Sequence, residues 1–207
     1  MAKPALFAAR NCLVLGAAHP VGQALCLRLA AQGGFVVALD TAEDVLQTLA
    51  SQHPSRIAPL ALDLGDTASL KRLAEDWQND PLHLVVLAHP LHAGLLLDDL
   101  LASVSLLVRR LAPVLARAEG AAVLIYPAAE PGASPEKRAT AQALAALTEA
   151  LAEGGAQINA LALHPAVLTP GGEARVCQLA LMMALPLAQA VSGAVMPVGR
   201  PGSRGFD

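Results

Sequence analysis

The sequence predicts an α/β protein: a Rossmann-type, doubly wound, seven-stranded parallel sheet in one domain over residues 1–207, with a short polar tail at 199–207. Three observations predict it. Short continuous apolar runs alternate with helix-period segments from end to end, the pattern of strands buried on both faces and joined by helices. A glycine-bounded loop, "GAAHPVG" at 16–22, joins the first run to a helix. The 207 residues are 55% hydrophobic and only 15% charged, enough for one substantial core.

The elements follow in order. Strands are expected at 11–16 (NCLVLG), 35–39 (FVVAL), 57–62 (IAPLAL), 83–88 (HLVVLA), 121–126 (AAVLIY), 157–163 (QINALAL) and 193–198 (GAVMPV). Helices are expected at 20–32, 41–52, 66–78, 97–118, 135–153 and 173–190, and right-handed crossovers then wind them over both faces of the sheet. Start signals support them: Thr41 with Asp44, and Asp66 with Thr67, have the form of N-caps, and Ser134-Pro135-Glu136 sets a cap, a first-turn proline and an acid in order.

Composition excludes several function classes. The net charge is −3 and the 14 Lys and Arg are scattered, so no basic stripe offers itself to nucleic acid. Aromatic residues make up 2%, too few for base-stacking platforms. Cys12, Cys26 and Cys177 are far apart and odd in number, which reads as buried thiols in a reducing compartment. The opening "MAKPALFAARNC" lacks the apolar core of a signal peptide, and no apolar run has the length of a membrane span. A cytoplasmic protein bound neither to membrane nor to nucleic acid is expected.

The candidate cofactor-binding residues are Gly16, Gly22, Asp40 and Asp63. Gly16 allows a tight turn out of the first strand and Gly22 allows close helix–sheet contact, with the amides of the helix start facing a pyrophosphate. Pro20 stands where a third glycine is usual and removes one donor. Asp40, about twenty residues on, could accept from an adenosine ribose, which favours NAD over NADP, or cap a helix. Asp63 could meet an adenine amino group, or cap. The cofactor expectation is therefore none, or NAD.

In their order, "LGAAHPVGQAL", "VVALD", "LALDLGD", "VVLAHP", "TEALAEGGAQINALALHPAVLTP" and "SGAVMPVG" resemble the short-chain dehydrogenase/reductase family over nearly the whole chain. The resemblance implies a nicotinamide oxidoreductase whose Ser orients a carbonyl, whose Tyr and Lys transfer a proton, and whose helix Asn holds a water relay. Carried over, the Tyr position is Lys137, the Lys position Ala141, the Ser position Ala128, the Asn position Leu100 and a strand-end glycine His89. No catalytic residue of that family is in place. The only tyrosine, Tyr126, has Glu130 four residues later, so no shift of alignment supplies a Tyr-x-x-x-Lys pair. Lys137 reads as a substitute proton donor or as a solvated surface lysine. His19, His89 and His164 each follow a strand; without clustered acids to orient them they read as separate polar loop residues, and no metal site is expected.

Segment 97–118 is leucine-rich almost all round, and 138–153 is dense in alanine, which lets helices approach closely. In the resembled family these helices form a four-helix dimer interface. The expectation is a catalytically inactive subunit paired through helices 97–118 and 135–153 with an active short-chain dehydrogenase paralogue, as a heterodimer or heterotetramer, with hydroxyacyl thioester dehydrogenation as the shared task the family suggests. Two other readings stay open: an NAD-dependent oxidoreductase using Lys137, Tyr126 or a histidine in an atypical site, and an NAD-sensing or scaffold homodimer.

Overall fold

A computed structural model describes residues 6–92, 94–168, 171–185 and 191–199. Seven parallel strands form one sheet in the order β3-β2-β1-β4-β5-β6-β7. They are β1 (Asn11–Leu15), β2 (Phe35–Asp40), β3 (Ile57–Ala61), β4 (Leu84–Leu87), β5 (Ala121–Pro127), β6 (Ile158–Leu163) and β7 (Val195–Val198). The helices are α1 (Pro20–Ala31), α2 (Glu43–Gln52), α3 (Thr67–Asp76), α4 (Leu97–Arg117), α5 (Pro135–Glu153) and α6 (Glu173–Met183).

The expected doubly wound sheet is present, and β1 and β4 show why inner-strand sequences are mostly apolar. Cys12 and Val14 of β1 face the core shared with α1, α2 and α6, while Leu13 and Leu15 face the core shared with α3, α4 and α5. In β4, Leu84 and Val86 take the first face and Val85 and Leu87 the second. Side chains alternate across a strand, so a strand covered on both sides must be apolar at every position. Each such leucine contributes about 2 kcal/mol of burial free energy. The edge strands differ: β3 and β7 are each partly exposed and each carries a proline, Pro59 and Pro197, a residue tolerated where no neighbour needs its N–H. All three cysteines are free thiols buried on the α1/α6 face, and burial raises the pKa of each.

Apart from the end of the sixth helix, boundaries shift by one or two residues, and one cap is corrected. Thr41 does not cap α2. Ala42 occupies that position without a side-chain bond, because the Thr41 amide is turned back onto Asp40 Oδ1 at 2.8 Å. Asp66 does cap α3, accepting from Ala68 N–H at 3.0 Å, and Ser134 caps α5, accepting from Lys137 N–H at 3.4 Å. The sixth helix, expected over 173–190, ends at Met183; its expected last residues, 186–190, lie outside the described residues, as does the tail beyond Gly199.

Helix α4 lies where it was expected. Its leucine coat is covered mainly within the chain: Leu100, Leu107, Leu111 and Leu115 are buried, and Leu101 and Leu106 pack partly on the same core. Because α3 and α5 flank it on either side, a wide arc of α4 needs to be apolar. The face left to solvent carries Ala102, Arg109, Arg110, Pro113 and Ala116. On α5, Leu144, Thr148 and Leu151 are buried, while Ala139, Ala146 and Ala150 are exposed.

Candidate functional site

The strand order reverses at β1, which β2 and β4 flank, so the loops after β1 and β4 diverge and open a crevice at the carboxyl edge of the sheet. Gly16 leaves β1 with φ +79°, and a Cβ there would lie 2.5 Å from the backbone N of His89. At Gly22 a Cβ would lie 2.1 Å from the carbonyl oxygen of Gly16. Both glycines therefore allow two backbones to touch, one across to β4 and one between loop and helix. Pro20 is the first residue of α1, where a missing N–H costs no intrahelical bond, so the loop keeps its shape despite the substitution.

The amides of this loop have partners inside the chain. Gly16 and Ala17 both donate to Leu39 O, and His19 N–H donates to Gly16 O. Ala18 N–H donates to Asp40 Oδ2 at 2.9 Å, and Val21 N–H donates to His19 Nδ1 at 3.2 Å. The imidazole of His19 thus caps α1 at the position where the helix dipole favours an anion.

Asp40 ends β2 and is 4% exposed. Its Oδ1 accepts from Thr41 N–H, and its Oδ2 accepts from Ala18 N–H and from His92 Nε2, both at 2.9 Å. Burial alone would raise its pKa, but the bonds from His92 and Ala18 outweigh burial and hold the carboxyl down at about 2. The same bond raises the pKa of His92, against the effect of its partial burial. His19 meets His92 edge to face, with ring centroids 5.8 Å apart, and burial and the nearby His92 lower the His19 pKa. Asp63 lines the same recess, but its Oδ1 accepts from Gly65 N–H at 2.8 Å in the turn before α3.

His92 is the residue that sequence reasoning missed. A 3₁₀ turn, His89–Leu91, follows β4 and ends where His92 N–H donates to His89 O. Pro90 fixes the turn, and His92 emerges facing Asp40. The spacing His89-x-x-His92 just after a strand was the available signal. His89 itself is fully buried and points elsewhere. Ser103 Oγ spends its proton on Leu100 O at 2.9 Å, so it accepts from His89 Nε2–H at 3.0 Å. His89 Nδ1 is left buried without a partner among the described residues, and burial pushes the ring pKa down to about 3.

Two cavities meet at His92. One, of about 300 Å³, is lined by Asp40, Thr41, Asp63, Leu64 and Leu95; the other, of about 620 Å³, by Ala128, Glu130, Lys137, Thr140 and Pro165. Among the described residues His92 is the only one lining both. The larger cleft holds the remaining expected positions. Ala128 follows β5, Lys137 lies exposed on the first turn of α5, and Ala141 packs partly on the core one turn later. Leu100 is buried in the first turn of α4. Tyr126 is 2% exposed beneath α5; burial, with Glu149 nearby, pushes its pKa up to about 12, so its phenol does not reach the cleft. His164 stands apart from His19 and His89: its Nε2 meets Glu130 Oε1 at 3.0 Å and its Nδ1 accepts from Ala166 N–H. Among the described residues no group of three His, Cys, Asp or Glu side chains is placed to hold a metal ion.

Gly16, Gly22 and Asp40 are therefore brought together as expected, with Asp63 at their margin. A dinucleotide needs a free carboxylate for its ribose and free helix-start amides for its pyrophosphate. Here Asp40 is held by His92 and the Val21 amide by His19, so in this conformation the residues present do not fit NAD.

Residues 10–94 match the family model described as short chain dehydrogenase. Among solved structures, the fold is similar to a short-chain dehydrogenase/reductase, glucose/ribitol dehydrogenase, from Brucella melitensis, with TM-score 0.78 and 17% identity over 93% of this chain and 96% of that one. It is also similar to levodione reductase, with TM-score 0.74 and 16% identity over the same shares. No curated protein matches the sequence.

Proposed function

We propose that this chain, whose residues 10–94 match the short chain dehydrogenase model and whose fold is similar to that of a short-chain dehydrogenase/reductase, is a subunit without catalytic chemistry of its own, assembled with an active dehydrogenase of that family. One observation carries the reading: around the 620 Å³ cleft the family's proton-transfer positions hold Ala128 and Ala141, beside an exposed Lys137, while the only tyrosine is buried under α5. A carbonyl placed there would find no phenol to protonate it, and the two hydroxyls lining the cleft are engaged within α5: Ser134 Oγ accepts from Lys137 N–H and Thr140 Oγ1 donates to Glu136 O.

The outer faces of α4 and α5 support the assembly half of the reading. Ala102, Ala116, Ala139, Ala146 and Ala150 leave two helices open to close approach by a second pair. The active partner would supply the Tyr-x-x-x-Lys pair, NAD and the substrate, of which a hydroxyacyl thioester is the family-level candidate. The described chain has no helix long and apolar enough to cross a membrane, and we place the complex in the cytoplasm.

Affinity purification of the tagged chain from its source cell tests this. A Tyr-x-x-x-Lys short-chain dehydrogenase should co-purify in fixed ratio, and the isolated chain should not interconvert alcohols and ketones with NAD(H). Turnover by the isolated chain would overturn the reading. One observation favours a second reading, an atypical oxidoreductase: the His164–Glu130 pair stands at the edge of the same cleft as Lys137. Under it, Glu130→Gln and Lys137→Ala would each remove a measurable activity.

A further inference from the structure

We propose that His92, together with His19, closes the dinucleotide site of this chain from within, so that nucleotide binds only when His92 leaves Asp40. The inference concerns the chain's own ligand site and holds whether or not a partner subunit is present.

Three independent features point to it. First, the Asp40–His92 bond joins residues 52 positions apart at 2.9 Å, and with the Ala18 and Thr41 amides it fills the carboxylate on which a ribose would have to hydrogen-bond. Second, the His19 imidazole takes the Val21 N–H at the start of α1, replacing the phosphate oxygen such a helix start would bind. Third, His92 lines both the 300 Å³ recess at Asp40 and the 620 Å³ cleft at Lys137. A ligand with two nucleoside halves lying along the sheet edge and reaching both cavities would run past His92.

The closing ring is titratable. The groups around it are Asp40 at the end of β2, His19 in the loop after β1, His89 in its own turn, Asp63 across the smaller recess, and Glu130, Glu136 and Lys137 across the larger cleft. Asp40 is the one in contact, and it raises the His92 pKa. Protonated, His92 makes a charge-assisted bond to the carboxylate; as pH rises through its raised pKa, that bond weakens to a neutral one. The closure should therefore loosen toward alkaline pH, while His19, with a lowered pKa, stays neutral over the same range.

Titration of the full chain with NADH, followed by nicotinamide fluorescence and calorimetry at about pH 6 and about pH 9, tests the proposal. The wild type should bind weakly at pH 6 and about tenfold more tightly at pH 9. His92→Ala should bind about tenfold more tightly than wild type at pH 6 and lose the pH dependence. His92→Gln, which keeps a donor toward Asp40 but cannot titrate, should bind weakly at both pH values. An unchanged affinity in His92→Ala, or wild-type binding independent of pH, would overturn the proposal. Neither result depends on catalysis or on a partner, so its failure is distinguishable from failure of the subunit reading.

Discussion

His89 Nε2 donates to Ser103 Oγ at 3.0 Å in a fully buried contact between the end of β4 and the first turns of α4. The hydroxyl donates its own hydrogen bond to Leu100 O, so the bond fixes the histidine tautomer, and burial keeps the ring neutral. Ser103→Ala should leave the Nε2–H unsatisfied and lower the unfolding free energy by about 1–3 kcal/mol in urea titrations.

The same histidine predicts an acid response. Its folded pKa, about 3, is below the ordinary value of 6.5. The unfolded chain therefore binds the extra proton first, and the stability that neutral His89 provides is complete above pH 6.5 and is lost as pH falls from there toward 3. Melting curves of wild type and His89→Leu across pH 4–7 should converge as the pH falls. Parallel curves would show that His89 does not govern acid unfolding.

Asp40 and His92 act with two opposite signs. The lowered pKa of Asp40 contributes stability above about pH 4 that is lost as pH falls toward 2; the raised pKa of His92 contributes stability below pH 6.5 that is lost as pH rises through it. Asp40→Asn should therefore destabilise most between about pH 4 and 6.5, by about 2 kcal/mol, and less at pH 9. Denaturant midpoints at the three pH values would read this out.

Glycines in the nucleotide loop should be far less replaceable than one in an open turn. Gly16→Ala sets a Cβ 2.5 Å from the His89 backbone in a left-handed conformation, and should cost more than about 3 kcal/mol or prevent folding. Gly132→Ala is equally left-handed, with φ +87°, but meets nothing within 4 Å, and should cost about 1 kcal/mol. Equal losses in chemical denaturation would mean that backbone contact at Gly16 has no special role.

The exposed alanines of α5 give a test of assembly separate from folding. Ala146→Arg and Ala150→Arg leave the chain's own core untouched, so its unfolding free energy should stay within the range of ordinary surface changes, about 0.5 kcal/mol. Loss of the co-purifying dehydrogenase in these variants, with the fold intact, is the expected outcome. Retention of it would move the interface elsewhere.

The alternation of apolar runs and helical periods was sufficient for the seven strands, the six helices and the placing of Gly16, Gly22 and Asp40 at one sheet edge, because burial on two faces leaves few polar positions in an inner strand. So was the lack of a tyrosine four residues before a lysine, which is a property of the string of letters. Periodicity does not contain what covers α4: flanking helices α3 and α5 widen the arc that must be apolar. Only the tertiary structure decided what Asp40 binds. Parallel crossovers carry the ends of β2 and β4 to opposite flanks of β1, and that long-range geometry, not any local pattern, turns His92 onto the carboxylate.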